Sequence, residues 1–354
     1  MSKIKSKKVG VFSDIHIGVG QDCSMWHDIS LNFAKWASEV FEKENITDIF
    51  IPGDIFHNRS EISVKTLYVA KQFFDNFREF NIYISTGNHD VYLKNSSDIH
   101  SLSLLNEWQN ITIIDKEPKV YETNYGKTIS FIPWGTELEN FPKSDIMFAH
   151  LDIQSFYMNG YTLCEHGFQS NDLFEKSKYI ISGHFHRKDI RKYNNGTIQY
   201  LGSPYQMNFG EVSDQRGVYI FDLEEETFEF IENTVSPVHQ KIKVSDLISQ
   251  KIKAKDLKHL VHNNLVCLII DAKITPDVHS VLVSKLKNIE PKSLKIEFAI
   301  VNGGNKFVGE ELDSESEFNV TDIGKTLEEY VEKMDSPHKN ELKEYLKNVH
   351  SLLK

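Results

Sequence analysis

Five short runs of this chain close on residues that hold metal ions or carry protons. "SDIHIG" places Asp14 and His16 two apart, "PGDIFH" holds Asp54 and His57, and "STGNHD" ends in Asn88, His89 and Asp90. "FAHLDI" contributes His150, and "SGHFHRK" contributes His184 and His186. A single histidine beside an apolar run is ordinarily a packed or surface residue. The set says more, because each run follows a stretch that reads as a strand. Ligands of open α/β sheets gather beyond the carboxyl ends of the strands. Carboxylate, amide and imidazole donors without a thiolate suit Mn²⁺, Fe²⁺ or Zn²⁺ better than Ca²⁺ or a structural zinc. The donors outnumber what one ion needs, and two ions about 3.5–4 Å apart sharing one carboxylate would use them. Asp54 is the natural bridge, since a carboxylate can offer one oxygen to each ion.

The elements that must position these groups can be read from periodicity. "KKVGVFSDIHIG", "ITDIFIPGDIF" and "NIYISTGNHD" are three strands. Between them, Ile29, Phe33, Trp36, Ala37, Val40 and Phe41 form one helical stripe; Val64, Leu67, Tyr68, Ala70, Lys71, Phe74 and Phe77 form a second. This β-α-β-α-β order predicts parallel strands with crossover helices. From about Asn110 the texture changes to short strands and turns, with a hairpin signal at Asn194–Gly196. The expected fold class is α/β, a two-sheet sandwich with helices outside. A boundary falls near Pro237, and a small β-α-β unit follows as a capping domain over 237–301. Residues 302–320 are Gly-rich, then acidic, and read as a flexible linker. Two amphipathic helices over 321–354 close the chain, the second opening on Ser336-Pro337.

Composition sets the outer bounds. The 354 residues are 40% hydrophobic and 26% charged, ordinary for a globular protein. No apolar run approaches the roughly 18 residues a membrane span needs. The basic N-terminus is followed by too short an apolar stretch for a signal peptide, so a cytoplasmic protein with no membrane partner is expected. Cys23, Cys164 and Cys267 are widely spaced and read as free thiols. The net charge of −11 is unevenly spread: residues 302–354 hold 12 acidic and 7 basic residues, whereas "HRKDIRKY" is locally basic. A protein that reaches phosphates through metal ions needs fewer lysines and arginines. Arg59, Arg187, Lys188, Arg191 and Lys192 are candidates for phosphate contacts away from the metals.

The five motifs, spanning Asp14 to His186, resemble those of the calcineurin-like metallophosphoesterases. "GDIFH" with His57, and "YLGSPYQMNFGE" from Tyr200 to Glu211, resemble the DNA-repair branch. With the cap and helical tail, the whole chain resembles the SbcD-type nucleases and related recombination endonuclease subunits of large phages. The resemblance implies that one metal takes Asp14, His16, His186 and the Asp54 bridge, and the other Asp54, Asn88, His150 and His184. It implies that His89 contacts the phosphate and helps the leaving oxygen depart. Asp90 would fix the tautomer of His89, and His57 would help position the phosphate or that histidine. The implied function is a Mn²⁺-dependent DNA nuclease of recombination, repair and replication, an exonuclease and single-strand endonuclease. Its implied partners are DNA, a second copy of the chain, and an SbcC-type coiled-coil ATPase docked through residues 321–354. A phage-encoded chain would work in the host cytoplasm. Two alternatives stand beside this: a metallophosphoesterase acting on small phosphodiesters or phosphomonoesters, and a non-catalytic scaffold. The cap and tail count against the first. The complete ligand set counts against the second.

Overall fold

Two sheets lie face to face, and both aim their strand ends at one edge. The computed structural model describes residues 3–93, 96–158 and 162–299. The first sheet has six strands, in the order Thr227–Glu232, Gly217–Asp222, Lys8–Val11, Asp48–Pro52, Asn81–Ser85 and Ile111–Ile114. Its last four strands are parallel, as the β-α-β-α-β reading requires. Gly217–Asp222 runs antiparallel to Lys8–Val11 and closes the other side.

The second sheet has seven strands. Ser144–His150 and Ser177–Gly183 are parallel neighbours at its centre. Asp189–Tyr193 and Gly196–Tyr200 form the hairpin predicted around Asn194–Gly196, pairing Tyr193 with Gly196. Aromatic rings fill the space between the sheets. Phe50 from the first meets Phe131 and Phe148 from the second, with centroids 4.9 and 5.0 Å apart. Each fully buried ring contributes about 1.5–3 kcal/mol. This packing therefore fixes the spacing of the strand ends beyond it.

The helices Ser24–Lys43 and Val64–Asp75 cover the outer face of the first sheet. Ile29, Phe33, Ala37 and Phe41 of the longer helix are buried, as their four-residue spacing predicts. The shorter helix is rotated from the predicted stripe. Thr66, Val69, Ala70, Phe73 and Phe74 face inward, while Val64 and Tyr68 are 84% and 62% exposed. Thr66 turns inward because its hydroxyl donates to Asp22 (2.6 Å) and lies 3.1 Å from His27 Nε2. The Ser63 hydroxyl caps this helix by accepting from the Thr66 N–H.

Beyond Pro237, His239–Lys243, Leu265–Ile270 and Ser293–Phe298 form a separate parallel sheet. Helix Pro276–Lys287, capped by Thr275, links the last two. The strand His239–Lys243 escapes the sequence pattern because "HQKIK" carries only one aliphatic residue. All described residues belong to one compact unit, Met1–Val301. The expected linker, 302–320, and the terminal helices, 321–354, lie outside the described residues. Cys23, Cys164 and Cys267 are free thiols. Among the described residues no helix is long and apolar enough to cross a membrane.

Candidate metal centre

Both sheets deliver residues to the same edge. Asp14 and His16 follow Lys8–Val11, Asp54 follows Asp48–Pro52, and Asn88 follows Asn81–Ser85. His150 is the last residue of Ser144–His150, and His184 and His186 follow Ser177–Gly183. Four of these seven, Asp14, His16, Asp54 and His184, have positive φ, between 51° and 93°. The approach of the turns is tight. A Cβ on Gly87 would lie 2.1 Å from Asp54 Oδ1, and one on Gly183 would lie 2.2 Å from Ser13 Oγ. Only glycine permits such contact.

The donors form two clusters. Ligand atoms of Asp14, His16 and His186 lie within 4.8 Å of one another, as do those of Asp54, His150 and His184. Asp54 stands between them: its Oδ2 is 3.5 Å from His16 Nε2 and 3.3 Å from His150 Nε2. Asn88 Oδ1 is 2.9 Å from both His150 Nε2 and His184 Nδ1. His16 Nε2 and His186 Nε2 face each other at 3.0 Å. Asp14 Oδ1 accepts from the His184 N–H at 2.8 Å, while its Oδ2 is buried with no hydrogen-bond partner among the described residues. Converging lone pairs of this kind are satisfied by cations, so the residues present fit a pair of divalent ions.

Protonation fits the same reading. Burial holds His16 well below the usual imidazole range, as a neutral ligand requires. His150 donates its Nδ1–H to the Pro52 carbonyl (2.9 Å), which leaves Nε2 facing Asn88 and Asp54. Burial pulls His150 down, but the Asp54 carboxylate outweighs it and raises the ring to about 9. In the metal-free protein that proton contributes stability below the ordinary histidine value, and the contribution is lost as pH rises through about 9. A divalent ion must displace the proton. Mn²⁺ affinity is therefore expected to climb by about tenfold per pH unit from about pH 6.5 to 8. Calorimetric titration across that range checks this, and a flat profile would mean that His150 binds no ion or carries no proton.

Two carboxylates that the sequence reading missed stand behind the histidines. His184 Nε2 donates to Asp152 Oδ1 at 2.7 Å, and His186 Nδ1 faces Glu211 Oε1 at 3.4 Å. Each fixes the tautomer that turns the other ring nitrogen inward. Glu211 in turn pairs with Arg216 at 3.1 Å. Burial pushes Glu211 up, but His186 and Arg216 hold it below the usual carboxylate range. Asp152 lies two residues past His150, and Glu211 closes "YLGSPYQMNFGE". Those positions were the only signals available. Replacing Glu211 with glutamine is expected to weaken one Mn²⁺ site by about 10–100-fold and to leave the other nearly unchanged. Calorimetric titration would show this, and two unaltered sites would remove Glu211 from that role.

His89 lies beside the clusters, its ring centroid 4.7 Å from that of His16. Its tautomer is set differently from the expectation. His89 Nδ1 donates to the His57 carbonyl at 2.6 Å. Asp90 does not meet that ring. Its carboxylate accepts the N–H groups of Asp54, Ile55, Phe56 and Gly87 at 2.9–3.2 Å. Asp90 thus holds the turn that carries Asp54, because four amides aimed into a buried pocket claim both oxygens. His57 positions His89 through its backbone, and its own ring lies near both His16 and His89.

The five basic residues separate. Arg191 is bound to Asp189 (2.7 Å) and to the Ser155 carbonyl (2.8 Å), and it stacks over Phe156 at 3.9 Å. Its charge is thus already matched. Lys188 Nζ meets Gln215 at 3.0 Å and lies 3.9 Å above the Phe230 ring. Arg187 and Lys192 are exposed and Arg59 is half-buried. Trp134, also missed, stands against His150 and His184 at 5.8 and 5.4 Å.

Two facing sheets that bring carboxylates, an amide and imidazoles to one edge suit a metal-dependent phosphoesterase. The chain belongs to the calcineurin-like phosphoesterases, whose family model matches residues 7–188. Over 299 residues it is 30% identical to Exonuclease subunit 1 of Enterobacteria phage T4, covering 79% of this chain and 85% of that one. Over 190 residues it is 28% identical to the DNA double-strand break repair protein Mre11 of Methanocaldococcus jannaschii. That match covers 48% of this chain and 50% of the relative, so the chain spans about half of that protein's length. A solved archaeal phosphodiesterase aligns with a TM-score of 0.37 and 17% identity, over 64% of this chain and 99% of its own.

Proposed function

We propose that this protein is a DNA nuclease that uses two divalent ions, with Mn²⁺ as the working pair. It acts as an exonuclease and single-strand endonuclease within an SbcCD-type complex of recombination, repair and replication. The observation that carries the reading is Asp54 standing between two donor clusters with His89 beside them. Asp14, His16 and His186 would hold one ion, Asn88, His150 and His184 the other, and Asp54 both. The ions, when bound, would supply activated water and charge neutralisation at the phosphate. The chain's own groups do the rest. His89, with Nδ1–H committed to the His57 carbonyl, presents Nε2 to the leaving oxygen and donates its proton there when charged. Arg59, Arg187 and Lys192 hold flanking phosphates, and Lys188 assists at the edge of the site.

The division of labour follows the sequence. Residues 1–236 are the nuclease domain, 237–301 the cap, 302–320 a linker, and 321–354 the segment that docks on the coiled-coil ATPase. The nuclease domain pairs with a second copy, and the complex works in the cytoplasm. One assay set tests the activity: linear duplex DNA, circular single-stranded DNA and a chromogenic phosphodiester, each with Mn²⁺. Cleavage of both DNAs supports the proposal; cleavage of the small diester alone overturns it. Deleting Thr321–Lys354 is expected to leave weak DNA cleavage and abolish co-elution with the ATPase. Retained co-elution would move the interface elsewhere.

A further inference from the structure

Past His150 the chain leaves the candidate centre, loops out and returns against itself. Asp152 begins this excursion, and Cys164 and His166 lie on the returning arm. Backbone bonds align the two arms: Ser155 N–H to the Cys164 carbonyl (2.8 Å), Cys164 N–H to the Phe156 carbonyl (2.8 Å), and Phe168 N–H to the Asp152 carbonyl (2.9 Å). A Cβ on Gly167, whose φ is +82°, would lie 2.2 Å from that Asp152 carbonyl oxygen. A carboxylate oxygen of Asp152, Cys164 Sγ and a ring nitrogen of His166 consequently lie within 4.8 Å of one another. His166 Nε2 is 3.6 Å from Asp152 Oδ1, close to the separation of two ligands on one tetrahedral ion of metal–ligand length about 2.0–2.3 Å.

This cluster differs in kind from the neighbouring pair, because it contains sulfur. Cys164 is 2% exposed, whereas the His166 side chain is 64% exposed. Two donors are therefore fixed within the fold, and the third can close on an ion arriving from solvent. Burial pushes the thiol above its ordinary range, which does not suit a reactive nucleophile or redox thiol. Thiolate, imidazole and carboxylate together form the donor set of a borderline-soft divalent ion.

We propose that Asp152, Cys164 and His166 form a third cation site, selective for Zn²⁺ and its chemical relatives, on the flank of the two-cluster centre. On binding, the thiol proton leaves to solvent and a metal–thiolate bond forms. Asp152 belongs to both places, since its Oδ1 also accepts the His184 Nε2–H. The inference does not depend on the nuclease reading.

Cobalt reports the site directly in the full-length protein. The two-cluster centre offers only oxygen and nitrogen, so a thiolate-to-cobalt absorption in the near ultraviolet can arise only where sulfur ligates. Titration with Co²⁺ is expected to develop that absorption, and Zn²⁺ is expected to bleach it. Cys164→Ser should lose the band, while Cys23→Ser and Cys267→Ser should keep it. His166→Ala alters an exposed side chain and should raise the half-saturating Co²⁺ concentration by at least about tenfold. That variant decides the matter alone if Cys164→Ser fails to fold by circular dichroism. Absence of the band, its survival in Cys164→Ser, or an unchanged midpoint in His166→Ala would overturn the proposal.

Discussion

Replacing Asp54 with asparagine is expected to lower hydrolysis by about 10³-fold, the upper end of what losing one preorganised electrostatic contact costs. The substitution keeps the side-chain volume and an oxygen that can accept the His89 N–H, now held at 2.9 Å. It removes the negative charge that His16 and His150 both face. An amide nitrogen turned towards either histidine would present a donor where a lone pair is needed. Its Oδ2 faces a histidine of each cluster, so Mn²⁺ affinity should fall at two sites together. Calorimetric titration would read this. Two sites of near-native affinity would assign the bridge to another residue.

Replacing His89 with asparagine is expected to cost about 10²–10⁴-fold in rate, the usual contribution of a positioned proton donor, while metal content stays close to that of the parent. The separation of the two effects follows from how His89 is attached. Its contact with Asp54 runs through the backbone N–H and survives any non-proline replacement. Its ring shares a donor group with His16 and His57 but stands outside the two clusters that contain Asp54 and Asp14. Metal analysis of the purified variant checks the claim, and loss of both ions would make His89 a ligand.

The parallel half of the first sheet and the seven proposed ligands were legible for one reason. Each apolar run stops on a residue whose chemistry is costly to leave without a role, as in "IISGHFH" and "IPGD". The strand ends converge because parallel strands share a direction, and sequence order alone supplies that. What stayed hidden depended on contacts between distant positions. Asp152 and His184 are 32 residues apart, and Glu211 and His186 are 25 apart. A lone carboxylate in a loop carries no periodic signal. The role first given to Asp90 illustrates the limit: adjacency to His89 suggested a ring contact, whereas the fold sends the carboxylate to amides some 35 residues earlier. Helix Val64–Asp75 was mis-phased because Val64 and Tyr68 look like core residues and Thr66 does not. The hydroxyl's contacts with Asp22 and His27 explain the rotation.

The positive φ angles at Asp14, His16, Asp54 and His184 bear on how this chain can drift under mutation. A residue with a Cβ held there costs on the order of 1 kcal/mol or more relative to glycine. Four such positions together cost several kcal/mol, a large share of the roughly 5–15 kcal/mol that keeps a domain folded. At each of these four sites the change that would most relieve the backbone is also the change that removes a donor. A lineage selected only to stay folded would cross to glycine there early, because those steps lead downhill in free energy. The residues now in place at these four positions therefore mark a sequence kept on a slope by its donor set.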